Sequence, residues 1–63
     1  MEASINKLIN QARQYEPSIS VYCDNTYGEI LIKGNIVFNT RGFAAMAVIS
    51  GYLAGFIRAN LKK

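Results

Sequence analysis

The spacing of apolar and polar residues changes twice along the chain and divides it into three parts. From Glu2 to Tyr15, Ile5, Leu8, Ile9, Ala12 and Tyr15 recur as one helical stripe, with Asn6, Lys7, Asn10, Arg13 and Gln14 on the wet side. Pro17 disfavours helical geometry at Glu16, so this first helix is expected to end at or before that residue.

From Ser18 to Cys23 the period becomes two. Ile19, Val21 and Cys23 fall on one face, and Ser18, Ser20 and Tyr22 on the other, the pattern of a half-buried strand. Asp24 to Gly28 is rich in turn formers and reads as a hairpin loop. Glu29 to Lys33 resumes a strand with Ile30 and Ile32 inward, and Gly34-Asn35 suits the mirror-image turn that hairpins prefer. Ile36 to Asn39 then reads as a third strand, with Ile36 and Phe38 inward.

The third part runs from Arg41 to Leu61 and carries no charge between Arg41 and Arg58. At about 3.6 residues per turn, the bulky Phe43, Met46, Ile49, Tyr52, Leu53, Phe56, Ile57 and Leu61 take one side of a helix. The small residues Ala44, Ala47, Gly51, Gly55 and Ala59 take the other, with Val48 among them. These five are the expected helix–helix or dimer contact. Interior glycines cost about 1 kcal/mol each relative to alanine, a loss that close approach by another backbone would offset. Thr40 or Asn39 is expected to cap the start.

Three occupants suit the small-residue side. One is the chain's own first helix, seated on Ala47, Gly51 and Gly55. The second is the same helix from another copy, making a twofold dimer. The third is lipid or a membrane helix, since Gly51-Tyr-Leu-Ala-Gly55 has the small-xxx-small form of membrane helix pairs. Residues 42–57 would rise only about 24 Å against about 30 Å of hydrocarbon, so a buried helix is the better reading.

The elements predict a single α+β domain over residues 1–63: helix, three-stranded antiparallel meander, helix, with both helices packed on one sheet face. This order resembles that of the double-stranded-RNA-binding domain, and the length is close. In that family a basic cluster at the start of the second helix grips phosphates across the major groove. Here the matching positions read Thr40-Arg-Gly-Phe-Ala-Ala45, with one positive charge, and the first hairpin loop is short for reaching a minor groove. The resemblance is therefore one of element order, without the motif.

Length changes the picture more than charge does. At 63 residues, apolar burial and ordering entropy come out near balance, so a stabilising partner is expected. Cys23 is the single cysteine and histidine is absent, which leaves neither a disulfide nor a ready metal set. Oligomerisation is the remaining means, and a homodimer is expected. A lone cysteine and spaced apolar positions at the N-terminus favour a cytoplasmic protein without a signal peptide.

No catalytic constellation is visible, the glycines match no phosphate-binding spacing, and neither a cofactor nor a metal is expected. The net charge of +3 is dispersed, with Lys7, Arg13, Arg41 and Arg58 the best candidates for nucleic-acid contact. The outer sheet face and loop offer Tyr22, Tyr27, Leu31, Lys33 and Val37 for binding a partner. The leading reading is a non-enzymatic interaction or regulatory protein of adaptor or inhibitor type, acting as a homodimer by stoichiometric binding to a macromolecular partner, expected to be a protein sooner than nucleic acid. Its size suits the small regulators of phages and other mobile elements. A nucleic-acid-binding regulator is the alternative, and a membrane-associated protein the further one.

Overall fold

The computed structural model describes the backbone of residues 2–62 and the side chains of residues 5–62. Helix α1 spans Glu2–Arg13, strands β1, β2 and β3 span Ile19–Cys23, Tyr27–Ile32 and Asn35–Arg41, and helix α2 spans Ala45–Leu61. The strands form one open antiparallel sheet in the order β1-β2-β3, with the helices packed on one face. The expected architecture is thus the one observed.

The core takes one or two side chains from most elements. Ala12 of α1, Ile19 of β1, Ile30 of β2, and Ile49 and Leu53 of α2 are fully buried together. From β3 only the half-buried Phe38 reaches this cluster, stacking on Tyr52 with ring centroids 4.8 Å apart. α1 ends as Pro17 requires, and the amides of Tyr15 and Glu16 both donate to the Ala12 carbonyl at 3.0 Å. Tyr15 therefore leaves the helical stripe it was expected to complete and is 40% exposed.

The turns decide the register. Asp24 accepts from the backbone amides of Thr26 and Tyr27, each at 2.8 Å, a side-chain-closed turn that shortens the β1–β2 loop to three residues and starts β2 at Tyr27. At the second hairpin the turn residues are Lys33 (φ 54°) and Gly34 (φ 82°), and Asn35 pairs with Ile32. The mirror-image turn is present one residue earlier than Gly34-Asn35, and Lys33 lies in it rather than on the sheet face.

A register shift separates Ile30, opposite Phe38, from Leu31, opposite Ile36. Val37 is the extra residue of this bulge. The bulge turns Ile36 out beside Leu31, so Ile36 is 53% exposed instead of inward.

β3 continues to Arg41, which pairs with Tyr27, so α2 begins four residues later than its apolar run. Neither Asn39 nor Thr40 caps it: Ala44 holds the cap position without a side-chain hydrogen bond. Gly42, at φ 120°, makes the break, its amide donating to the Thr26 carbonyl at 2.8 Å.

Candidate functional site

α2 buries its bulky side, not its small one. Ala45, Ile49 and Leu53 are buried, while Ala44, Ala47, Gly51, Gly55 and Ala59 are all exposed. A Cβ added at Gly51 or Gly55 would meet nothing within 4 Å. The first helix therefore does not fill the small-residue seat, because α1 packs with the bulky side above the sheet. That leaves an uncharged helix surface open from Ala44 to Gly55, with Val48 38% exposed on it. Phe43 and Leu61, expected on the bulky side, stand beyond the packed turns at 98% and 68% exposure.

The second open surface is the sheet face away from the helices. Strand alternation and the bulge gather Tyr22, Tyr27, Leu31 and Ile36 there, with the exposed Val37 beside them. The Tyr22 and Tyr27 rings lie 6.4 Å apart, and the Arg41 guanidinium sits 5.4 Å from the centre of the Tyr27 ring. Tyr22 donates its hydroxyl proton to Asp24 Oδ2 at 2.9 Å, and Tyr27 donates to Glu29 Oε1 at 2.7 Å. Each carboxylate holds its tyrosine above the usual phenol range, because ionisation would replace the donated hydrogen bond with like charges. Asp24 is held below the usual carboxylate range, first by the Thr26 amide and then by the Tyr22 hydroxyl.

Of the expected partner-binding residues, Tyr22, Tyr27 and Leu31 lie together on this face, Val37 is at its bulge, and Lys33 is in the adjoining turn. Ile36 and Arg41 join the surface without having been expected in it. Alternation placed Ile36 inward, and only the bulge, which has no sequence signal here, reverses it.

The basic candidates are not brought together. Arg13 donates through Nε to the Ile19 carbonyl at 3.0 Å, tying α1 to the start of β1. Arg41 lies at the opposite end of the sheet, beside Tyr27. Lys7 is exposed on α1 and Arg58 in the last turn of α2. With Asp24 and Glu29 bonded to its tyrosines, the aromatic face carries two carboxylates to the one guanidinium of Arg41.

A groove of about 190 Å³ opens between α1, β1 and the start of α2. Ile5, Asn6, Ile9, Val21, Cys23 and Met46 line it. Burial among apolar neighbours pushes the Cys23 thiol up, away from the reactive thiolate. Among the described residues, no three metal-binding side chains converge, and no helix is long and apolar enough to cross a membrane. Comparison with known families, with curated proteins and with solved structures finds no match to this chain, and the likeness to the double-stranded-RNA-binding domain stays one of element order.

Proposed function

We propose that this chain is a non-enzymatic interaction protein that forms a homodimer through the open side of α2 and holds a protein partner against its helix-free sheet face. One observation carries the reading: among the described residues, large apolar side chains stand exposed on both the open side of α2 and the helix-free sheet face. Among the described residues the buried hydrophobics are Ile5, Ala12, Ile19, Ile30, Ala45, Ile49 and Leu53. The exposed large ones are Tyr15, Tyr22, Ile36, Val37, Phe43, Val48 and Leu61. Single exposed apolar residues are ordinary, but Tyr22, Ile36 and Val37 gather at the sheet face and Val48 stands on the open side of α2.

Charge assigns the surfaces their roles. Two copies of a chain of net charge +3 repel, and the uncharged stretch of α2 lets them meet with least cost. The sheet face joins tyrosines, aliphatic side chains and an arginine, the composition of a protein interface centre. Its carboxylates oppose a phosphate backbone, which supports a protein partner over nucleic acid.

The test is affinity enrichment from the source cell with nuclease added, comparing the wild type with Leu31→Glu. The reading expects a protein retained by the wild type, lost with Leu31→Glu, and insensitive to nuclease. Capture that nuclease abolishes, or that Leu31→Glu leaves intact, would contradict it.

A further inference from the structure

We propose that the open edge of β3 pairs with the β3 edge of a second copy, antiparallel about a twofold axis at Asn39, so that the dimer holds one continuous sheet. This rests on the homodimer reading and names the second half of its interface. The Gly42 amide bonds to the Thr26 carbonyl, and bonded pairs alternate along an antiparallel ladder from there. Thr40 and Phe38 therefore direct their amides and carbonyls to β2, while Arg41 and Asn39 direct theirs to the open edge. Among the described residues, no side chain or loop bonds to those edge groups. An edge in that state is a template for another strand. The β1 edge is partly closed, because the Ile19 amide donates to the Glu16 carbonyl at 3.1 Å and the Ile19 carbonyl accepts from Arg13 Nε at 3.0 Å.

A second copy fits because the helix layer is open on the same side. Met46 of α2 faces α1 across their groove, and Tyr52 stacks on Phe38 of β3. At about 100° per residue, Ala59, Val48 and Gly55 lie within about 60° of Tyr52, on the flank away from Met46. All three are exposed. A foreign strand would satisfy the edge and leave this flank bare, whereas a second copy brings its own α2 to it. A twofold axis normal to the sheet applies strand to strand and helix to helix together. Charge permits the contact, since Arg41 is the only charged residue of β3. About an axis at Asn39 the two Arg41 residues stand four strand positions apart, about 13 Å, beyond the screening length of about 8 Å at physiological salt. The bulge at Val37 ends the regular ladder on the other side of Asn39 and confines the pairing to a few residues.

The experiment follows amide hydrogen exchange of the wild type by NMR at several protein concentrations, with sedimentation equilibrium on the same samples. The Asn39 amide should exchange at least about tenfold more slowly once dimer is populated. The amides of Val21 and Cys23, which the bond from the Asp24 amide to the Tyr27 carbonyl directs to the β1 edge, should keep their monomer rates. Asn39→Pro removes the edge amide and no bond to β2, and proline is tolerated on a sheet edge. It should leave the monomer folded by circular dichroism and weaken association at least about tenfold, since both bonds of the central pair are lost. A second variant, Asn39→Cys with Cys23→Ser, should oxidise to a linked dimer, because bonded antiparallel partners stand about 5.5 Å apart at Cα.

A dimer whose Asn39 amide exchanges at the monomer rate would overturn the edge pairing while the homodimer reading stands. So would a folded Asn39→Pro chain that associates as the wild type does. Slowed exchange at Val21 and Cys23 in place of Asn39 would put the contact on the β1 edge and overturn the proposal as well. A wild type that stays monomeric throughout would overturn both.

Discussion

Gly28 lies so close beneath Ile49 that a Cβ built on it would stand 2.5 Å from Ile49 Cγ1 and 3.0 Å from its Cδ1. Ile49 is fully buried, and the Cys23 sulfur closes the site from the side at 3.4 Å. This glycine in the middle strand sets how closely α2 rests on the sheet. Gly28→Ala should therefore destabilise the fold by about 1–3 kcal/mol, the usual cost of forcing extra volume into a packed core. Chemical denaturation measures it, and an unchanged midpoint would mean that α2 does not rest on β2 at Gly28.

Gly51 and Gly55 present the opposite case, since a Cβ at either meets open space. Leucine at both positions should keep the monomer folded and raise its stability, because the helix loses two poor formers. The same change should abolish the dimer, as the second backbone can no longer approach. Sedimentation and denaturation of the double variant separate the two effects. A destabilised monomer would put these glycines against the chain's own core, and an intact dimer would remove the open side of α2 from the interface.

Tyr22 is 54% exposed and bonded through its hydroxyl to Asp24 in the adjoining loop. Tyr22→Ala should cost less than about 1 kcal/mol, a fall in melting temperature of no more than about 4–8 °C for a domain of this size. A larger loss would move this ring into the core and reverse the faces of β1.

The two phenols on the sheet face should titrate above the ordinary tyrosine range, followed by their ring proton shifts. Their contribution to stability is present below that range and is lost as pH rises through the raised values. Asp24 and Glu16 behave conversely. Glu16 is held below its ordinary value first by the Ser18 hydroxyl, which donates to it at 2.7 Å. The carboxylate contributions are present above the ordinary carboxylate range and are lost as pH falls through the lowered values. Asp24→Asn should bring the Tyr22 titration back toward the ordinary range. No change would show that this hydrogen bond is not made in solution.

Helix, strand and turn identities were legible wherever side-chain period and backbone chemistry agree. The stripe ending at Pro17 defines α1, and the alternation of Ile19, Val21 and Cys23 defines β1. Three features were not legible, each because a contact that side-chain period does not encode overrides the local pattern. Tyr27 joins β2 early because Asp24 closes its loop in three residues. Ile36 faces outward because a bulge at Val37 reverses alternation, and composition does not announce that bulge. Arg41 to Ala44 leave the helix because Arg41 pairs across from Tyr27 and Gly42 turns the chain at positive φ.

The candidate surfaces divide in the same way. Tyr22 and Leu31 follow from strand parity, whereas Tyr27, expected in the loop, reaches the face only because β2 starts early. The division of α2 into bulky and small sides also follows from sequence. Which side is covered does not, because α1 could have met either. The exposure of Phe43 and the groove at Cys23 depend on where α2 starts and how α1 lies, and no residue pattern encodes those.

The homodimer is tested most directly by sedimentation equilibrium of the unaltered chain, without detergent, over a wide concentration range. The expected result is a concentration-dependent rise toward twice the 7.0 kDa chain mass. A mass of 7.0 kDa at every concentration would contradict it and leave the sheet face as the remaining candidate surface.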